Sequence, residues 1–214
     1  MKRMSLILGA LIALVLVFTS CGEEPQYYKP ENPKYKVGDL IKIGDVHAVV
    51  FYVTFDGDHG KAVSVSNEAS LQWSTTATIN LGCSDKLFGK NNQQIVQNLP
   101  ASGPDDWRLG YPVFWQCFNV AYPSQPIDFK KVSWYLPSLE EMKLILKYRT
   151  MINDAMEDLE AVGKREIREN VKYWTSTEAD AFNAKICIIN DGKITVEDKM
   201  KTNNDPLFRA VIDF

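Results

Sequence analysis

Residues 134–141 read Trp-Tyr-Leu-Pro-Ser-Leu-Glu-Glu, and this stretch marks the start of a helix. Ser138 and Glu141 have the Ser-x-x-Glu spacing of a capping box, in which the hydroxyl accepts from the Glu141 amide and the carboxylate reaches back to the cap. Met142, Ile145 and Leu146 follow at helical spacing and supply an apolar face. We therefore predict structural roles for Ser138 and Glu141.

Strands are predicted on both sides of this helix. Apolar and β-branched residues indicate two hairpins and a closing strand, at 47–54 with 61–66, at 184–189 with 194–196, and at 208–214. The second hairpin turns at an Asp-Gly pair, which favours a tight two-residue turn. The pattern predicts an α+β fold with small antiparallel sheets and two or three helices, in which the terminal strands can be neighbours in one sheet.

Two further helices are predicted between the strands. Residues 111–121 are compatible with a helix entered through Pro112. A stretch with apolar residues at three- and four-residue spacing begins at Ile152 and stops at Gly163. Residues 67–98 and 199–206 are polar and are predicted to be irregular.

Three short motifs follow one another along the chain, at 134–141, Tyr173–Glu178 (Tyr-Trp-Thr-Ser-Thr-Glu) and Phe208–Val211 (Phe-Arg-Ala-Val). Four shorter pieces precede them, at 37–39, 49–51, 59–61 and 72–75. The series resembles the Fibrobacter-type major paralogous domain, which overlaps a C-type-lectin-like domain of unknown function in Bacteroidota lipoproteins. The resemblance covers about residues 36–214 and implies a C-type-lectin-like fold in a secreted or surface domain.

The first residues have the layout of a lipoprotein signal. Lys2 and Arg3 precede an uncharged apolar run, and small residues lead to Cys21. We predict a signal peptide at 1–20, lipidation of Cys21, a tether at 21–36 and one domain at 37–214. Two or more acyl chains would anchor the protein stably to the membrane. The alternative is an ordinary secretory signal with an incidental cysteine.

The acidic pair Glu23–Glu24 after the lipidated cysteine resembles the surface-export signal of Bacteroidota lipoproteins. That resemblance implies the outer face of the outer membrane, with the periplasmic face as the alternative. The pair is also compatible with a plain solvated linker.

Composition narrows the function classes. Removal of residues 1–20 lowers the formal charge from −3 to −5, because two basic residues leave and no acidic residue does. No Lys/Arg cluster stands out, so we predict no nucleic-acid partner. Cys83, Cys117 and Cys187 allow either one disulfide with a free thiol or three buried thiols. With two histidines and no Cys-x-x-Cys, we predict no metal site and no cofactor.

Catalysis is not predicted. The formylglycine-generating enzymes that share the scaffold use a cysteine pair near the C-terminus, and only Cys187 stands there in this chain. A calcium-dependent sugar site is disfavoured too, because Trp174 is followed by Thr175 and Ser176 where such lectins have Asn-Asp.

The function predicted first is non-catalytic binding of a glycan or protein, for adhesion or capture. In the relatives diversified by retroelements, the C-terminal region displays the ligand contacts. By that resemblance the predicted contacts are Trp174, Glu178, Asp180, Asn183, Asn203 and Asn204. Each residue can instead serve the core or a turn.

Two alternatives stay open beside the binding module. A structural envelope or fimbria-associated subunit predicts an exposed edge strand. An enzyme on the formylglycine-generating scaffold predicts a deep pocket with convergent titratable groups. Arg209 lies in an otherwise apolar strand, so we predict a structural role with a carboxylate of the 178–180 segment as its partner.

Overall fold

The computed structural model describes residues 33–66, 68–100, 102, 106–121, 134–157, 159 and 163–214. The predicted signal peptide, Cys21 and the tether as far as residue 32 lie outside the described residues. Within them, the fold is α+β, with eight strands in two antiparallel sheets and five short α-helices. The predicted fold class is confirmed at this level. The finer C-type-lectin-like assignment stays a prediction.

The elements follow one another along the chain. The strands are β1 (Leu40–Ile43), β2 (Val46–Val53), β3 (Gly60–Ser64), β4 (Trp134–Tyr135), β5 (Lys172–Glu178), β6 (Asn183–Asn190), β7 (Lys193–Met200) and β8 (Val211–Asp213). The helices are α1 (Gly89–Gln97), α2 (Trp107–Gly110), α3 (Pro112–Phe118), α4 (Leu139–Lys147) and α5 (Arg149–Ala155), and a 3-10 turn (Asn119–Ala121) follows α3.

The five-stranded sheet has the order β1-β2-β3-β8-β4 and is antiparallel throughout. The C-terminal strand β8 lies between β3 and β4, so the terminal strands share one sheet, as predicted. Along β2, Ala48 and Val50 join one apolar cluster, whereas Val49 and Phe51 join a second one on the other face. This alternation explains why β2 is a continuous apolar run, since both faces of the sheet are covered.

The three-stranded sheet has the order β5-β6-β7. Asp191 and Gly192 form the turn between β6 and β7, with positive φ values of 47° and 74°. Positive φ at both central residues is typical of the type I′ turn that Asp-Gly favours. The turn aligns Asn190 with Lys193 and continues in register to Asn183 and Met200, so the predicted hairpin is confirmed and its second strand is longer than predicted.

The helices cover the two sheets with apolar residues. One cluster contains the buried faces of α2 and α3, with Trp107, Phe114 and Phe118. The other contains Met142, Ile145 and Leu146 of α4, as the sequence predicts. Each cluster also takes side chains from β5 and β6, and this shared packing joins the two sheets.

The prediction of two or three helices was too low. Helix α1 lies in the polar stretch expected to be irregular, and it has a weak signal because its buried residues include Asn92 and Gln93. Helix α2 has only four residues, too few for a periodic pattern. The closing strand is shorter than expected, because β8 covers only Val211–Asp213.

Candidate functional site

Trp174 belongs to the core. It lies in β5 with no exposed surface, and its Nε1 donates a hydrogen bond to the Leu71 oxygen at 2.8 Å. The prediction that Trp174 offers an apolar plate to a ligand is therefore wrong. Thr175, Ser176 and Thr177 are also buried strand residues.

Glu178, at the end of β5, holds the protein's own backbone. Its Oε1 accepts from the Leu81 amide at 3.1 Å, and its Oε2 accepts from the Cys83 amide at 2.8 Å. The Lys201 Nζ lies 2.6 Å from Oε1, and only 6% of the Glu178 side chain is exposed. These partners leave little of the carboxylate for a ligand. Glu178 is a structural residue here, which corrects its predicted role as a ligand contact.

Lys201 completes this buried site and was not predicted from sequence. Its side chain has no exposed surface. Its ammonium donates to the Ile79 oxygen at 2.6 Å and lies 4.8 Å from the centre of the Trp73 ring. Since a buried ammonium needs a full set of partners, Lys201 and Glu178 together fasten the 79–83 segment to the end of the three-stranded sheet.

Asp180 and Asn183 shape the turn between β5 and β6. Asp180 Oδ1 accepts from the Phe182 amide at 2.7 Å and from the Asn183 amide at 2.8 Å. The Asn183 side-chain amide donates to Asp180 Oδ2 at 3.0 Å. These hydrogen bonds lower the pKa of Asp180, with the Asn183 side chain as the largest cause. Asp180 is exposed and Asn183 is half-buried, and contact of either residue with a ligand stays a prediction.

Asn203 and Asn204 lie in the segment that follows β7. The Asn203 amide donates to the Met200 oxygen at 3.0 Å, and the Asn204 oxygen accepts from the Ser70 hydroxyl. Because Met200 pairs with Asn183, this segment lies at the same end of the sheet as the β5–β6 turn. Four of the six predicted contacts, Asp180, Asn183, Asn203 and Asn204, therefore lie at the same polar end of the three-stranded sheet. The other two, Trp174 and Glu178, have buried side chains.

Arg209 is fully buried, and its partner differs from the one predicted. Its Nη2 lies 3.2 Å from Glu68 Oε1 and also donates to the Glu166 oxygen at 2.9 Å. Burial lowers the pKa of Arg209, although Glu68 raises it. A structural role agrees with this burial, but the expected carboxylate of the 178–180 segment is wrong, because Glu178 is already paired with Lys201.

The predicted capping box is present at the start of α4. The Glu141 amide donates to the Ser138 hydroxyl, and Glu141 Oε2 accepts from the Ser138 amide at 2.8 Å. The same carboxylate does more than cap the helix. It accepts from the Gly89 amide at 3.0 Å, and its other oxygen lies 2.9 Å from Lys61 Nζ. Glu141 therefore caps the helix and also links α4 to Gly89 and Lys61, which are distant in sequence.

Lys61 extends this network to Tyr135 and Asp213. Its Nζ lies 2.7 Å from Asp213 Oδ1 and 2.9 Å from the Tyr135 hydroxyl. Burial lowers the pKa of Lys61, but Glu141 and Asp213 raise it by more. Burial and the two carboxylates raise the pKa of Tyr135. A lysine or tyrosine that acts as a general base or nucleophile at neutral pH needs a lowered pKa. The raised pKa values of Lys61 and Tyr135 therefore keep both side chains protonated.

The three cysteines are unpaired and buried in the structure. The sequence allowed either one disulfide with a free thiol or three buried thiols, and the structure has three buried thiols. Burial raises the pKa of Cys187 to about 12 and also raises that of Cys83 and Cys117. Such thiols are poor nucleophiles. Across the described residues, no three His, Cys, Asp or Glu side chains come together in a way that could hold a metal ion.

Strand β7 forms a long open edge. All eight of its residues pair with β6, and no strand of the described residues pairs with its other side. The Lys201 amide donates to the Phe182 oxygen in the same register. Because antiparallel hydrogen bonding alternates along a strand, Ile194, Val196 and Asp198 direct their backbone groups to the open side.

Two apolar side chains of β7 are exposed on one face. Val196 is 38% exposed and Met200 is 49% exposed, and their even numbering places them on the side of Ile194. Charged residues separate them, which is typical of edges protected against unspecific pairing.

Comparison with known proteins shows a fold-level likeness. No family model matches the chain, and no curated protein matches it. A solved structure, a fimbrial protein from Bacteroides ovatus ATCC 8483, matches with a TM-score of 0.51 and 15% identity. The match covers 72% of this chain and 36% of that protein, so this chain spans about a third of its length. Within the described residues, no helix is long and apolar enough to cross a membrane.

Proposed function

We propose that this chain is a non-catalytic cell-surface lipoprotein that serves as a fimbria-associated structural subunit and contacts a neighbouring protein through β7. The open eight-residue edge carries this proposal. An unpaired edge presents a row of amide and carbonyl groups to which another chain can add a strand.

The structural neighbour supports the same class. The protein from Bacteroides ovatus is named a fimbrial protein, and this chain is similar to part of it in fold. A structural subunit requires an exposed edge strand, whereas an adhesin of the predicted kind requires an exposed aromatic binding patch. Burial of Trp174 and Glu178 removes the centre of that patch.

The chemistry of the buried groups supports a role without catalysis. Tyr135 and the three thiols have raised pKa values, and Lys61 keeps its proton beside two carboxylates. Anchoring through Cys21 on the outer membrane completes the proposal, and it rests on the sequence motif alone. Acyl labelling of the full chain tests it, since Cys21→Ser should abolish incorporation of a labelled fatty acid.

A photo-crosslinking experiment tests the contact strand. A benzoylphenylalanine at Val196 places the probe beside the open edge, and the same probe at Phe55 serves as a control, since Phe55 is 60% exposed in the β2–β3 turn. In cells that display the anchored chain, we expect a discrete adduct with a surface subunit from position 196 and none from position 55.

An edge-blocking substitution makes this test specific. Asp198→Pro removes an amide on the open side of β7, where proline is tolerated at an edge, so it should abolish the adduct while the fold persists. Asp198→Ala is the matched control for loss of the Lys185 ion pair and should keep the adduct. An equal adduct in the proline variant, or none from position 196 in the native chain, would refute β7 as the contact strand.

A further inference from the structure

An apolar groove lies beside β7, between α4 and the loop that precedes α1. Its volume is about 920 Å³, and its lining includes Leu87, Leu144, Ile194, Lys86, Lys143 and Lys147. A smaller cavity of about 190 Å³ shares Leu87 and Leu144 with it and adds Tyr52 and Phe88. The two cavities therefore lie next to each other.

The face that α4 directs to the groove is unusual for a solvated helix. Glu140, Lys143, Leu144 and Lys147 form one stripe at helical spacing, opposite the residues that α4 buries in the core. A purely solvated stripe is polar throughout. Leu144 interrupts the polar stripe, and it lines the groove while it also packs against the core cluster.

Three separate parts of the chain supply the apolar floor. Leu144 comes from α4, Ile194 from the start of β7, and Leu87 from the loop before α1, where it is 59% exposed. Phe88 and Tyr52 extend the floor with exposures of 50% and 40%. Leu144 and Ile194 are half-buried against the core, so the exposed apolar residues that converge here are Leu87, Phe88 and Tyr52. Such convergence from distant segments is typical of a binding surface, whereas single exposed residues need no explanation.

The rim of the groove is basic. Lys86, Lys143 and Lys147 line it beside two carboxylates, Asp85 and Glu140, so the lysines exceed the carboxylates by one. Glu140 Oε1 accepts from Lys143 at 2.8 Å, and Asp85 accepts from the Leu87 and Phe88 amides at 2.8 and 2.9 Å. The chain as a whole carries a formal charge of −3, so this rim is a local reversal of sign. Such a reversal favours an anionic partner.

We infer that the groove docks an extended segment of a partner protein in which apolar side chains alternate with carboxylates. The apolar side chains lie on Leu87, Leu144 and Ile194, and the carboxylates meet Lys86, Lys143 and Lys147. A segment with two-residue alternation presents one kind of side chain to the floor and the other to the rim. The inference rests on the proposed function only in taking a protein as the partner.

Fluorescence anisotropy with synthetic peptides tests the inference on the full folded domain. The probe is a labelled peptide that alternates leucine with glutamate, and two matched peptides carry glutamine or lysine in place of glutamate. We expect the acidic peptide to bind at least about tenfold more tightly than either control, with affinity that falls as salt is raised.

Substitutions locate the binding. Lys143→Glu with Lys147→Glu should weaken binding of the acidic peptide by about tenfold or more, and Leu144→Asp should abolish it. Lys143 and Lys147 lie on the partly exposed side of α4, whereas Leu144 is half-buried against the core. Thermal unfolding therefore checks each variant first, and the lysine variant decides the result if Leu144→Asp unfolds. Lys42→Glu with Lys164→Glu makes the same change of charge away from the groove and should leave the affinity unchanged.

The outcomes separate this inference from the proposed function. Equal binding of the three peptides, no binding of the acidic peptide, or full affinity in the Lys143 and Lys147 variant would overturn the acidic docking groove. The adduct at Val196 would still stand in those cases and would keep β7 as a contact strand. Peptide binding that survives in the Asp198→Pro variant would show that the groove acts without the edge.

Discussion

Replacement of Lys201 with methionine would leave the Glu178 carboxylate in a buried site without its cation. The ammonium lies 2.6 Å from Glu178 and 2.6 Å from the Ile79 oxygen, and neither side chain is appreciably exposed. Methionine fills a similar volume, so the change isolates the charge and its hydrogen bonds from packing. Glu178 keeps two backbone donors, the Leu81 and Cys83 amides, which cannot neutralise a carboxylate.

The expected loss of stability is large. Removal of one partner from a buried ion pair destabilises a protein by about 3–5 kcal/mol, because the remaining charge stays desolvated and unpaired. Loss of the cation above the Trp73 ring acts in the same direction. For a domain of this size, each kcal/mol shifts Tm by about 2–4 °C. We therefore expect Lys201→Met to lower Tm by about 6–20 °C.

Urea and thermal unfolding measure the effect, and an exposed pair provides the control. Lys172 lies 2.9 Å from Asp205, and their side chains are 38% and 46% exposed. Lys172→Met should cost no more than about 1 kcal/mol, because exposed pairs contribute little. A loss in Lys201→Met as small as in this control would refute the reasoning that the buried pair fastens the 79–83 segment. A double-mutant cycle with Glu178→Gln then measures the coupling itself.

The other predictions concern buried groups elsewhere in the fold. Arg209→Ala should lower the free energy of unfolding by about 2–4 kcal/mol, because it leaves a cavity at a fully buried position and removes one of the two cations beside Glu68, which keeps Arg168; an unchanged urea midpoint would contradict that. Burial raises the pKa of Asp213, but hydrogen bonds, first from Lys61, lower it by more. Its stabilisation is present above about pH 4 and is lost as the pH falls through the lowered folded value, so Asp213→Asn should lose its stability deficit in acid, as urea titrations from pH 7 to 3 would show. Gly89→Ala should reduce Tm by several degrees, because a Cβ there would overlap the backbone before α4, and an unchanged thermal scan would disprove the close approach.

The elements predicted well are those whose signal is local. The capping box at Ser138, the Asp191–Gly192 turn and the apolar alternation in β2 each depend on residues within a few positions of one another. Physical effects over that range act before any tertiary contact forms. The α+β class followed from them, because strands on both sides of a helical region can be placed in few ways.

The elements missed lack such a local signal. Helix α1 buries Asn92, whose side-chain amide donates to the Ser176 hydroxyl at 3.0 Å, and this contact spans 84 positions. When a distant partner holds a polar residue inside the fold, the sequence around that residue looks the same as it does for a residue exposed to solvent. The second half of β7 was missed for a different reason, because exposed charged residues follow Val196 on this edge strand although it continues to Met200.

The sequence by itself determined the helix start, the two hairpins and the fold class, since neighbouring residues decide capping, turn type and alternation. Only the tertiary structure decided which charges meet. The sequence was compatible with Glu178 as a ligand contact, but in the structure Glu178 pairs with Lys201. Arg209 pairs with Glu68, which lies 141 positions away. Burial of an ionised group requires a partner at hydrogen-bonding distance. Packing of the sheets, and not the order of residues along the chain, selects that partner.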